Sequence, residues 1–231
     1  MYKKQLIIIY ILLILLIITL IISASFGSFD IPIIKYLRGN LNQLHNDVLI
    51  NIRFPRVILA GLVGASLSLS GACLQGLFRN PLADPGLIGV SAGAALGVAL
   101  TIVIGADYIP KIFNPYILPI AAIAGSSIVI IALFYITKGF GYGGMTYMLL
   151  AGIAINSFAG VGIGFLTYIS DDTELRSLTF WTMGSFGGNT WNLILPAIII
   201  ICITIVWSLK TSRKLDLIQL GDSEAQRLGV N

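Results

Sequence analysis

The chain has 231 residues, 57% of them hydrophobic and 10% charged, with a formal net charge of +4; its mean hydropathy is +0.94 and its pI about 9.1. Soluble domains carry roughly 25% charged and about 45–50% apolar residues, so this composition excludes a water-soluble globular enzyme. The basic excess is small and scattered, with no run able to neutralise several phosphates, which excludes a nucleic-acid binder as well.

Six apolar segments follow in chain order, each bounded by charge, Pro or Gly: Leu6–Ile22, Pro55–Leu77, Leu87–Ile104, Ile117–Ile136, Met145–Tyr168 and Leu193–Leu209. Each is near the ~17–25 residues that carry a helix across ~30 Å of hydrocarbon. Backbone groups in lipid must bond within the protein, and runs such as Ile7-Ile8-Ile9-Tyr10-Ile11 lack the alternation of a β-barrel. The expected fold class is therefore all-α, a polytopic integral membrane protein of about six transmembrane helices.

Lys3, Lys4 and Ser23-Ala24-Ser25 flank the first segment as they would in a secretory signal, but its 17 apolar residues exceed the usual ~7–15, so it reads as a retained anchor. The second segment is rich in small residues, including Gly61, Gly64, Ser68 and Gly71. The third places Gly89, Gly93 and Gly97 at i, i+4, i+8, and the fifth repeats the device with Gly152, Asn156, Gly160 and Gly164. Such stripes let helices approach closely. Asn156 and Ser157 differ in kind: a mid-span amide either bonds across helices or faces a water-filled path. Gly141-Tyr142-Gly143-Gly144 reads as a turn joining the fourth and fifth segments. Cys73 and Cys202 fall within apolar runs and read as small hydrophobes.

After the fifth segment, Asp171-Asp172-Thr173-Glu174 has the acidic start of a helix. It leads into Leu175–Met183, apolar but too short to cross, with Gly184 as a stop. This is the signature of a short outer half-helix that lines or gates a cavity. Trp181 and Trp191 suit the membrane–water interface.

With the N-terminus inside, the inner segments hold eight basic residues and the outer ones six, while four acidic residues fall inside and six outside. The balance favours an N-in, C-in arrangement. The outer loop leading into the second segment, with that segment's first turn, is unusually basic, with Lys35, Arg38, Arg53 and Arg56.

Residue types remove other functions. No charged residue lies deep in a span, against proton or sodium coupling, and no charged rings suit a passive channel. No Gly-Lys dipeptide is present to cradle a nucleotide. The single histidine, His45, lies in a loop, so no catalytic dyad, metal site or cofactor is expected.

Arg53-Phe54-Pro55-Arg56 and the string Gln75-Gly76-Leu77-Phe78-Arg79-Asn80-Pro81-Leu82-Ala83-Asp84-Pro85-Gly86 resemble the hallmark of the FecCD permeases, membrane subunits of ATP-binding-cassette importers for iron–siderophores, haem and cobalamin. Leu149–Asn156 and Leu220–Val230 agree, and Asp171-Asp172 with Leu175–Trp181 and Gly184-Ser185 looks most like the haem-type members. The resemblance implies that Arg53 and Arg56 receive acidic residues of a substrate-binding protein. It also implies that Gly221, Asp222, Glu224, Ala225, Arg227, Leu228 and Gly229 form a coupling segment seated on an ATPase subunit. Asn156, Ser157 and Arg176 are then candidates for the translocation pathway. Arg176 could meet haem propionates or pair with Asp172, four residues earlier on the same face.

The domain reading is a permease domain over 1–209, the N-terminal part of a fold of about ten spans, and a cytoplasmic coupling segment over 210–231. The chain ends at Asn231, just past the coupling motif, so the last helices of the family pattern are expected to be missing. The implied partners are a second permease copy, two ATP-binding subunits, a periplasmic or lipoprotein substrate-binding protein and the bilayer of the cytoplasmic (inner) membrane. The rival reading is a truncated, non-transporting scaffold that binds the ATPase or the binding protein.

Overall fold

A computed structural model describes residues 2–27, 36, 42–105, 114–138 and 144–230, and every regular element among them is helical. Asp30, Lys35, Arg38, Asp107, Lys111, the turn Gly141–Gly143 and Asn231 lie outside the described residues. In chain order the elements are α1 (Tyr2–Ser25), α2 (Gln43–Phe78), α3 (Val90–Gly105), α4 (Asn114–Thr137), α5 (Gly144–Ile169), α6 (Asp172–Met183), α7 (Trp191–Gln219) and α8 (Asp222–Arg227). Five of them, α1, α2, α4, α5 and α7, are long and apolar enough to cross a membrane.

Three boundaries differ from expectation; one is the end of the sixth span, which runs past Leu209 to Gln219 without a break at residue 210. The second span does not begin at Pro55, because the helix starts at Gln43 and runs through the proline. Proline has no N–H and its ring presses on the carbonyl four residues back. A π-helical stretch, Leu49–Arg53, sits immediately upstream and absorbs that conflict. Arg53 and Arg56 are therefore helical residues, not loop residues. The third segment begins at Val90 instead of Leu87, since Pro85–Ile88 form a separate 3-10 turn. Gly89, at φ 85°, breaks the helix there. What remains of it, α3, is shorter than the other spans and ends in a π-helical stretch, Thr101–Gly105.

The chain divides into two compact units. The first comprises Met1–Ser66 and Phe186–Thr204. Within it, Ala24 of α1 and Leu49 of α2 are buried together, with Tyr36, Val48 and Phe54 packed around them. Tyr36 and Phe54 meet edge to face at 6.0 Å. The Trp191 indole, expected as an interfacial anchor, donates to the Ile50 carbonyl at 2.9 Å.

The second unit comprises Leu67–Ser185 and Ile205–Asn231. Its core forms where glycines remove side chains. A methyl group on Gly97 would stand 2.5 Å from the Ala121 carbonyl oxygen, and one on Gly125 would overlap the Gly93 carbonyl. Helices α3 and α4 thus touch backbone to backbone. Gly152 of α5 lies equally close to the Leu87 carbonyl. Gly160 and Gly164, by contrast, have nothing within 4 Å, so the stripe of the third segment packs throughout and that of the fifth only in part. Around these contacts, Ile88, Val129 and Leu133 form one buried cluster, and Ala99, Leu166 and Leu178 another. Large apolar side chains elsewhere, such as Ile9, Ile128 and Phe158, are exposed, as suits a surface that meets lipid.

Candidate functional site

The family-like string after α2 folds into a turn in which nearly every polar atom has a task. Arg79 adopts φ 51°, rare for a residue with a side chain. It closes α2 as glycine usually does: the Arg79 N–H donates to Gly76 O and the Asn80 N–H to Gln75 O, the paired bonds of a Schellman ending. Asn80 Oδ1 then accepts from the Leu82 N–H at 2.9 Å, and Asp84 Oδ1 from the Gly86 N–H at 2.6 Å. Asp84 caps the 3-10 turn, with Pro85 at its first position.

Two carbonyls of this turn are taken by the mid-span amide. Asn156 Nδ2 donates to Gly86 O at 3.0 Å and to Leu87 O at 3.3 Å. Of the two outcomes open for Asn156, the structure shows bonding, with a turn as the partner instead of a neighbouring span. Ser157 is exposed, and its hydroxyl donates back to the Ile153 carbonyl.

Helix α6 starts as its acidic residues imply. The Glu174 N–H donates to Asp171 Oδ1 at 2.7 Å and the Asp171 N–H to Glu174 Oε2 at 3.0 Å, a reciprocal capping box. Gly184, at φ 73°, follows the last turn. Leu178 is buried against Ala99 and Leu166, which holds this short helix to α3 and α5. Arg176 is exposed and makes no hydrogen bond or ion pair among the described residues. The Asp172 pairing that its spacing allows is not formed.

The two arginines of α2 differ. Arg53 is only 9% exposed, and its Nη1 donates to Ala24 O at 2.8 Å and Ser25 O at 2.6 Å. These are carbonyls of the last turn of α1, which have no partner within their own helix, and a cation suits that end of the helix dipole. Arg56 is exposed; its Nε donates to the Phe186 carbonyl at 3.2 Å, and its terminal nitrogens make no bond among the described residues.

The expected coupling segment forms α8. Gly221, at φ 116°, is its N-cap and makes no side-chain bond. The side chain of Asp222 lies outside the described residues. Ala225 is buried at 3%, while Glu224 and Arg227 form an exposed pair at 3.0 Å. The Gly229 N–H donates to Gln226 O and the Val230 N–H to Ala225 O, with Gly229 at φ 85°. This second Schellman ending explains the Leu228-Gly229-Val230 sequence. Leu228 is left 57% exposed.

Arg79 was read from sequence only as part of a marker string. Its Nε donates to the Ile218 carbonyl at 3.0 Å, tying the turn to the end of α7 just before α8. The signal was a non-glycine residue after a long apolar helix, followed by Asn-Pro.

The chain matches the FecCD transport family over residues 15–231. It is 44% identical over 209 residues to the hemin transport system permease protein HmuU of Yersinia pestis, covering 90% of this chain and 62% of that protein. It is 33% identical over 193 residues to the vitamin B12 import system permease protein BtuC of Vibrio vulnificus, covering 84% and 56%. The chain thus spans less than two thirds of the length of these curated relatives. Among solved structures, an inward-facing transporter assigned to the metal-chelate type of ABC transporter superposes with a TM-score of 0.82 at 32% identity, over 97% of this chain and 68% of that one. With its apolar helices and this match over most of its length, the chain is a multi-pass membrane protein and belongs to the FecCD transport family.

Proposed function

We propose that the chain is a permease subunit of an ATP-binding-cassette importer that moves haem, or a related iron–siderophore, across the cytoplasmic membrane. The observation that carries haem is the 44% identity with a hemin permease, against 33% with a vitamin B12 permease. Arg176 adds chemistry in the same direction: an exposed cation without an ion pair or hydrogen bond among the described residues suits the carboxylates of haem propionates. Both chain ends face the cytoplasm, in keeping with the charge balance.

Transport proceeds by alternating access. A substrate-binding protein delivers cargo at the outer face, and the exposed Arg56 receives its acidic residues. Arg53 supports that face from within by holding the end of α1. Two ATP-binding subunits supply the energy and engage α8, and a second copy of the permease completes the pathway.

The test is uptake by proteoliposomes containing the permease, its ATPase subunits and its binding protein. Haem-stimulated ATP hydrolysis with haem accumulation is expected. Arg176→Ala should reduce haem uptake more than siderophore uptake, and equal losses would remove Arg176 from substrate recognition. A complete assembly that shows no substrate-stimulated hydrolysis would favour the scaffold reading.

A further inference from the structure

Where the last turns of α2 run beside the C-terminal half of α7, they leave an open groove of about 470 Å3. Its floor is apolar, with Leu74, Leu77 and Leu209, and its lip is polar, with Ser212 and Lys214. The walls are fixed to each other. Gly76 has no side chain, so Leu215 and Gln219 of α7 close to about the distance a methyl group would need, and Arg79 bonds the Ile218 carbonyl.

The charge beside this groove is one-sided. Lys210, Arg213 and Lys214 recur at i, i+3 and i+4, which places them on one face of α7. All three are exposed and none makes a hydrogen bond or ion pair among the described residues. Asp216, which also lines the groove, is the one acidic residue in this stretch of α7. The cations begin directly after the apolar run that ends at Leu209, and Trp207, 70% exposed, marks the level of the interface one turn before. An apolar trough at the edge of the hydrocarbon, opening onto a cluster of cations at headgroup depth, matches the two halves of one class of molecule.

We propose that this groove binds an anionic glycerophospholipid, with an acyl chain along the leucine floor and the phosphate against Lys214, Lys210 and Arg213. None of the candidate pathway residues Asn156, Ser157 and Arg176 lines the groove, and the proposal does not depend on which substrate is carried. Its occupant bridges α2 and α7 just ahead of α8, so membrane composition reaches the coupling segment through it.

The experiment is native mass spectrometry of the full chain released from detergent, after equilibration with phosphatidylglycerol and phosphatidylcholine of identical acyl chains. Phosphatidylglycerol should be retained with about a tenfold preference. The combined variant Lys210→Gln, Arg213→Gln, Lys214→Gln should bring the ratio close to one. Ala72→Phe, which projects a ring into the groove, should lower retention of both lipids. Should the combined variant fail to fold, Lys214→Gln alone must still reduce the preference. Equal retention of the two lipids by the unaltered chain, an undiminished preference in the charge variants, or a lipid-free dimer covering the groove would each overturn the proposal.

Discussion

A guanidinium that reaches two carbonyls at the end of another helix does a task that an ammonium at the same place does poorly, because the planar fork is preorganised for several acceptors. Arg53→Lys keeps the charge but loses the geometry to Ala24 and Ser25. Thermal unfolding in detergent should show a loss of about 1–3 kcal/mol, whereas Arg56→Lys should leave the melting temperature unchanged, since Arg56 is exposed. Equal behaviour of the two variants would mean that Arg53 is not a strut. Asn156 permits a sharper comparison. Asn156→Leu removes the donor to Gly86 and Leu87, and should cost about 1–3 kcal/mol in the same assay. Asn156→Asp should cost more, because it sets an acceptor against two acceptors. That Asn156 needed a partner was legible in the sequence, since an amide in a span cannot stay unpaired. The partner was not. Its acceptors lie 70 residues away, at a place where the apolar pattern continues through Leu87 and Ile88 and reads as helix. Only the capped Asp84-Pro85-Gly86 geometry turns those residues into a separate element.

At the scale of elements, the glycine pattern was readable as close packing, but which glycines pack depends on the neighbour's backbone, and that information is not local. Gly125 is the lone glycine of α4, outside any glycine stripe, yet it is where the backbones of α3 and α4 meet. Gly160 belongs to a regular stripe and faces open space. Gly125→Ala should separate α3 from α4 and lower the unfolding temperature. Gly160→Ala should not lower it, and a loss there would show that another chain packs against α5. The start of α2 was hidden for a different reason: Pro55 carries the usual signal for a helix boundary, and the π-helical stretch that overrides it has no composition of its own. The extent of α6 was legible, because an acidic helix start and a terminal glycine are both local devices. Asp171→Ala should cost about 1 kcal/mol. Protease cleavage between Ile169 and Gly184 is expected to quicken in that variant if α6 frays.

At the scale of the molecule, the question is how an event at α8 reaches the spans. The fold supplies one direct link in the second unit: α8 follows α7, and α7 is bonded at Ile218 to Arg79, whose turn is gripped by Asn156 of α5. Arg79 holds a backbone conformation that costs a residue with a side chain on the order of 1 kcal/mol, and glycine would relieve it. Arg79→Gly should therefore destabilise by less than the loss of its side-chain bonds alone would, since relief of the turn offsets part of it, while it cuts the link to α7. The pair on α8 permits the same separation of folding from coupling. Glu224 and Arg227 are 51% and 77% exposed, and a surface ion pair of that kind contributes about 0–1 kcal/mol. Replacing both with Ala should leave the melting temperature of the chain unaltered. If α8 is the element that an ATPase subunit grips, the same double variant, assembled with its partners, should hydrolyse ATP without moving substrate. Measuring both rates on one preparation decides the matter. Normal uptake per ATP would release Glu224 and Arg227 from coupling, whereas loss of assembly would place them in the docking contact itself, a step before any motion is transmitted.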